Sequence, residues 1–161
     1  MHHHLLPVIR SGLTVDTEFK KIKTQEFMKI AEVIDKVIES ISESTGMEKD
    51  IIRPDFTLFK ELSINSIDIL DILYTLEIEY DISLKISDLE RDSRKELDGK
   101  AFEIENVITP EGLEVLKKKL PEIPQEKLVP GLTVFGIVQL FTVETLAKMV
   151  LIKIEEKENQ T

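Results

Sequence analysis

The sequence predicts an all-α protein, an up-down helical bundle with an inserted and mostly helical subdomain. Apolar residues make up 42% of the chain and aromatic residues only 6%. Ile, Leu and Val must therefore fill the core, as is typical of small helical bundles. The six Gly and six Pro residues are too few for a chain built mainly of turns. Three segments also repeat apolar residues with the 3.6-residue period of amphipathic helices.

The first helix is predicted over residues 26–45, with Gly46 as its C-cap. Its apolar residues recur on one face, at Phe27, Ile30, Ala31, Ile34, Val37, Ile38 and Ile41. Residues 1–25 show no clean period, so we expect a mobile N-terminal extension there. The three histidines at positions 2–4 are typical of a purification tag.

A long connection, residues 47–63, leads to the second predicted helix, residues 66–81. Apolar side chains of the connection are spaced to pack back against the bundle: Ile51, Phe56, Leu58, Phe59 and Leu62. Ser63 or Asn65 is suited to cap the second helix, and Asp68 in its first turn opposes the positive end of the helix dipole. The core-facing positions of this helix are Ile69, Ile72, Leu73, Leu76 and Tyr80.

The pattern changes after residue 83, and we interpret residues 89–131 as an insertion of one or two helices within a domain over 26–157. Its signals are a turn at Asp98-Gly99, an extended segment over 101–108 and a helix from Pro110 to Leu120. A short helix over 134–140 is predicted after the insertion. Thr142 then caps a last helix that runs to about Lys157, before a polar tail over 158–161. Its core candidates are Leu146, Met149, Val150, Ile152 and Ile154.

The composition excludes several classes of function. There is no cysteine, and the three histidines lie in the tag-like segment, so the commonest general base and metal ligands are missing. Residues 60–90 hold eight acids and two bases, a net charge of −6, which disfavours nucleic acid and favours docking against Arg and Lys patches. The longest uncharged stretch, residues 128–143, is too short to span a bilayer. We expect a cytoplasmic protein with no metal site and no enzymatic activity.

The most specific pattern of the chain lies between residues 59 and 80. An anchoring Phe and a Leu precede Asn65-Ser66-Ile67, which opens an acidic helix that ends in Leu-Glu-x-Glu-Tyr. This order resembles the acyl carrier protein family, in which Asp-Ser-Leu opens an acidic helix ending in Leu-Glu-x-Glu-Phe. The resemblance covers about 26–88 and 132–157, and it leaves the middle as an insertion of the kind found in specialised carriers.

The resemblance implies that Ser66 bears a covalent 4′-phosphopantetheine arm, on which acyl groups are held as thioesters. It implies partner docking through Asp68, Asp71 and Glu77. The implied acyl pocket consists of Ile72, Leu73 and Leu76. The implied partners are a phosphopantetheinyl transferase and, through their basic patches, the acyl synthases and acyltransferases of fatty-acid, lipid or polyketide biosynthesis. The carrier is expected to act as a monomer.

Two properties of the residues support a modified Ser66 independently. The start of a helix offers unpaired N–H groups and a positive dipole end to a phosphate. A chain without cysteine also needs a prosthetic thiol to form thioesters.

Two departures from the family pattern limit this interpretation. Asn65 stands where the family has Asp, which removes a charge beside Ser66 and is expected to weaken contact with the modifying transferase. The insertion could cover the pocket, lengthen it or offer a second recognition surface. The alternatives are a peptidyl or aminoacyl carrier and an unmodified interaction module with the carrier fold.

Overall fold

The structure, a computed structural model, describes the backbone of residues 5–160 and the side chains of 17–22, 25–85 and 87–160. The predicted all-α class is confirmed, because the described chain is mostly helical with one small hairpin. The helices are α1 (Leu5–Thr45), α2 (Ser66–Tyr80), α3 (Ile86–Arg94), α4 (Pro110–Lys119), α5 (Val134–Val138) and α6 (Val143–Asn159), and the strands are β1 (Glu103–Ile104) and β2 (Val107–Ile108). The chain divides into two compact units between Glu32 and Val33.

Helix α1 ends where the sequence predicts but begins far earlier, at Leu5 rather than near residue 26. Pro7 does not prevent this start, because a proline in the first turn removes no helical hydrogen bond. At the other end Gly46 adopts a φ of 81°, and its N–H donates to the carbonyl of Ser42 at 2.9 Å. The tag prediction for residues 2–4 lies outside the described residues. The mobility of the extension and the domain bounds stay predictions.

Phe27, which lies on the predicted apolar face of this helix, has a side chain that is 72% exposed. Among the described side chains of α1, the buried apolar ones are Val33, Val37 and Ile41. The apolar period predicted over residues 26–45 therefore begins before the first of these buried side chains.

The core of the second unit is formed by α1 from Val33 onward, α2 and α6. Its fully buried apolar side chains include Val37, Ile41, Ile72, Leu76, Val143 and Val150. Two backbone hydrogen bonds join the connection between α1 and α2 to the residues at the start of α6. The N–H of Leu58 donates to the carbonyl of Phe141 at 3.0 Å, and the N–H of Val143 donates to the carbonyl of Phe56 at 3.0 Å. These bonds attach the long connection to the start of α6.

The predicted anchors of the connection are confirmed at Leu58 and Leu62, which are buried. The prediction that Ile51 anchors the connection is wrong. Its side chain is 58% exposed, and its neighbour Ile52 is buried instead. A short 3₁₀ helix, Lys49–Ile51, turns the chain at this point and places Ile52 rather than Ile51 against the core. On α6 the predicted core residue Ile152 is also partly exposed, at 40%.

The predicted insertion, residues 89–131, overlaps α3 and contains the β1–β2 hairpin and α4. The hairpin turns at Glu105 and Asn106, whose φ values of 50° and 71° are those of a tight primed turn. The first turn of α4 packs so closely on the hairpin that a Cβ on Gly112 would lie 2.5 Å from the carbonyl oxygen of Phe102. The start of α5 continues this contact, where the N–H of Val134 donates to the carbonyl of Asn106 at 2.9 Å.

Among the described residues, no helix combines the length and the apolar character needed to cross a membrane.

Candidate functional site

Ser66 is exposed and is the first residue of α2. The cap of this helix is Asn65, whose side-chain Oδ1 accepts from the N–H of Asp68 at 2.7 Å. Ser63, the other predicted cap, instead donates its hydroxyl to the carbonyl of Lys60 at 3.1 Å. Asn and Asp cap helices about equally well, so Asn65 preserves the geometry at Ser66 while removing a charge.

The backbone that leads to Ser66 is held by its own hydrogen bonds. The N–H of Leu62 donates to the carbonyl of Thr57 at 3.0 Å, and that of Ile64 donates to Leu58 at 3.0 Å. The side chains of Leu62 and Ile64 are both buried. Ser66 is therefore presented to solvent from an anchored loop, on the first turn of a long helix.

Helix α2 has apolar side chains on two opposite faces. One face contains the fully buried Ile72 and Leu76. The other face carries an exposed stripe, with each member at least 63% exposed: Ile67, Leu70, Tyr74 and Ile78. The spacing of three and four residues aligns them along one side of the helix. We call this set the α2 stripe. Sequence reasoning missed it, although a row of apolar residues on the face opposite the core-facing positions is a signal of a second contact surface.

The three acids predicted to dock partners do not share one face of α2. Asp68 and Glu77 are nine residues apart, which places them on opposite sides of a helix with 3.6 residues per turn. Asp71 is exposed and lies one turn from both Ile67 and Tyr74 of the α2 stripe. The acids therefore border the stripe on both sides, and Asp71 is the most accessible of the three.

The carboxylates of α2 are partly engaged within the molecule. Glu77 is half-buried and accepts from the backbone N–H of Leu84 at 2.9 Å. Asp71 accepts from the hydroxyl of Ser44. Glu79, which sequence reasoning did not assign to docking, pairs with Lys36 at 2.8 Å. The hydrogen bond from Lys36 to Glu79 raises the pKa of the Lys36 ammonium above its ordinary value.

A cavity of about 60 Å³ lies beside the first turns of α2. Its lining is almost entirely apolar and consists of Leu58, Phe59, Ile69, Leu73, Leu84, Lys85, Val138, Phe141, Leu146 and Met149. Ile69 and Leu73 follow Ser66 by one and two turns of the helix. Of the predicted acyl-pocket residues, only Leu73 lines this cavity. Ile72 and Leu76 lie in the closed core, where both are 0% exposed.

Comparison with known proteins gives matches to carriers. No protein-family model matches the chain, and no solved structure matches it. An acyl carrier protein of Chlorobium phaeovibrioides is 33% identical over 61 residues, which cover 38% of this chain and 78% of that protein. The acyl carrier protein of Chlorobium luteolum gives the same identity and coverage. The acyl carrier protein AcpXL of Rhizobium meliloti is 29% identical over 59 residues, 37% of this chain and 62% of AcpXL. The chain thus spans less than two thirds of the length of AcpXL.

Proposed function

The chain belongs to the acyl carrier protein family, and on this premise we propose that it carries an acyl group on a 4′-phosphopantetheine arm attached to Ser66. The observation that carries the proposal is the position of Ser66, an exposed serine that opens α2, within the Asn65-Ser66-Ile67 motif that resembles the family's Asp-Ser-Leu. When bound, the arm supplies the thiol that this chain lacks.

The surroundings of Ser66 suit a phosphodiester. The first N–H groups of a helix have no intrahelical acceptor, and Asn65 takes only the one of Asp68 with its side chain. The N-terminal dipole of α2 favours the negative charge of a phosphate at the same place. Because Ser66 is exposed and contributes nothing to the buried core, a large group can be attached there without repacking the bundle.

The cavity beside Ser66 favours an acyl cargo over an aminoacyl one. Its walls include Ile69, Leu73 and Phe141, and Lys85 is the single charged residue of its lining. An aliphatic chain gains about 0.8 kcal/mol for each methylene that it buries in such walls. A charged amino group would lose its hydration there without a paired acid.

Partner docking is proposed for the α2 stripe and its acidic borders. An exposed apolar row along a helix fits a hydrophobic groove on another protein. Asp71 beside the row would pair with Arg or Lys at the rim of that groove, which steers association more than it adds affinity. Suitable partners are the modifying transferase and the acyl synthases and acyltransferases of fatty-acid, lipid or polyketide biosynthesis.

The attachment of the arm is tested by mass spectrometry. Incubation with coenzyme A and a broad-specificity phosphopantetheinyl transferase should add one phosphopantetheine to the parent chain and none to Ser66→Ala. Ser63→Ala is the matched control, since Ser63 is also exposed and lies three residues away; it should be modified like the parent. An unmodified parent would instead favour an interaction module that has the carrier fold without the arm. A mass gain that survives Ser66→Ala would place the arm on another residue.

A further inference from the structure

A second apolar cavity of about 100 Å³ lies between the insertion and α6. We infer that it is the distal part of the acyl site and receives the end of a long unbranched acyl chain whose first carbons occupy the cavity beside Ser66. This inference rests on the proposed function. It assigns the insertion a role, which is to lengthen the acyl site.

The two cavities adjoin one another. Leu84 and Met149 line both of them, and both side chains are half-buried rather than locked in the closed core. Met149 is unbranched and adapts its shape readily. A chain that enters past Leu73 therefore meets a wall made of two adjustable side chains, behind which the second cavity begins.

The walls of the second cavity come partly from α6 and partly from the insertion. Leu89 comes from α3, and Leu120 directly follows α4. Both are buried, so they form a fixed apolar floor. Ile152 of α6 closes the opposite side and is 40% exposed. Because Leu89 and Leu120 both lie within residues 89–131, outside the part of the chain that resembles the family, the insertion supplies this floor of the cavity.

The charges around the second cavity are neutralised, which argues against an anionic ligand. Its lining includes Lys119, Lys148 and Lys153. Lys119 pairs with Glu96 at 3.0 Å, Lys153 with Glu156 at 3.5 Å, and Lys148 with Glu122. No unpaired cation is thus offered by these three lysines to a phosphate or a carboxylate.

The volumes of the two cavities indicate which shape of ligand they can accept. Each cavity exceeds the roughly 15 Å³ that one water needs, and each is smaller than the roughly 300 Å³ at which sites for compact small molecules begin. Two small apolar cavities in series accept a narrow flexible chain better than a ring system. An acyl chain tethered at Ser66 is such a ligand, and its tether leads first to the cavity lined by Leu73.

The test uses the absence of cysteine in the chain. Ser66→Cys introduces a single thiol, which adds across the double bond of a maleimide that bears a spacer of pantetheine length and an n-alkyl chain of 8, 12, 16 or 20 carbons. Methyl NMR of the full-length adducts then reports which leucines the chain contacts. We expect the Leu73 methyls to shift with every chain, and the Leu89 and Leu120 methyls to shift only with the longer ones.

A blocking variant locates the path. Ile152→Trp fills the second cavity from its exposed side, so the long chains should no longer shift Leu89 and Leu120 while the Leu73 shifts persist. Ile51→Trp is the matched control, because Ile51 is exposed and lines neither cavity. Its adducts should behave like those of the unblocked protein.

The remaining outcomes overturn the inference in distinct ways. Shifts of Leu73 alone, at every chain length, would make the second cavity a packing void. Shifts of neither Leu73 nor Leu89 would exclude both cavities from the acyl site. Equal shifts of Leu89 when free palmitate is added to the protein without an adduct would indicate an independent lipid site. The mass-spectrometric test of Ser66 remains separate, because the maleimide adduct forms without the transferase.

Discussion

The role of Glu77, in stabilising the fold or in docking partners, can be tested by substitution. Its carboxylate was predicted to dock partners, but it accepts the backbone N–H of Leu84 at 2.9 Å from a half-buried position. A hydrogen bond to a charged group contributes about 1.5–3 kcal/mol, and partial exposure places the expected value near the lower end. Glu77→Ala should therefore lower the free energy of unfolding by about 1.5 kcal/mol, while Glu77→Gln, which keeps an acceptor, should lose less than half of that.

Urea unfolding of the full chain measures this difference. With a slope of about 1.5 kcal/mol per molar urea, the midpoint of Glu77→Ala should fall by about 1 M. Asp71→Ala is the matched control, since Asp71 is an exposed acid of the same helix whose bond to Ser44 lies at the surface; its midpoint should change by roughly 0.3 M or less. Equal losses for the alanine variants of Asp71 and Glu77, or for Glu77→Gln and Glu77→Ala, would refute the structural role of the Glu77 hydrogen bond.

Three further predictions follow from individual contacts. Gly112→Ala should lower the free energy of unfolding by about 1–3 kcal/mol, because the new methyl would meet the Phe102 carbonyl; an unchanged melting temperature would contradict the close packing of α4 on the hairpin. Asp71→Lys should slow modification by the transferase more at about 0.1 M than at about 1 M salt, and an equal loss at both would argue against electrostatic docking. The bond to Glu79 raises the pKa of Lys36, so the stability advantage of the parent over Lys36→Met should be constant from neutral pH to about pH 10 and fade as the pH rises through the folded-state pKa; an advantage that grows above that pH would contradict the sign.

Local signals in the sequence were sufficient to predict the start of α2 and to narrow its cap to Ser63 or Asn65. Asn65 needs only the N–H three residues ahead to cap the helix, and that geometry depends on nothing distant in the chain. The same holds for Thr109 and Thr142, which cap α4 and α6 through the N–H groups of Gly112 and Thr145. Caps are therefore readable from a single sequence with little knowledge of the tertiary fold.

Features that depend on distant contacts were not predictable in this way. Helix α3 is short and highly charged, and its acids interact with α6, where Lys153 lies 3.8 Å from Asp88. The exposure of Ile51 follows from a one-turn 3₁₀ helix that apolar spacing does not reveal. The cavity beside Ser66 joins Leu73, Val138 and Met149 from three separate helices, so its lining requires the fold to be known first.

The proposed acyl site does not coincide with the most deeply buried side chains of α2. The side chains that hold the bundle together, such as Ile72 and Leu76, are fully buried and line neither cavity. The side chains that separate the cavities, Leu84 and Met149, are only half-buried, so moving them exposes little additional apolar surface. An entering chain would replace solvent and void beside these residues and would leave the contacts of the closed core in place. On α2, the side chains that would contact cargo therefore differ from Ile72 and Leu76. Because Ile152 of α6 is partly exposed, Ile152→Trp is expected to alter the proposed acyl site while the bundle remains folded.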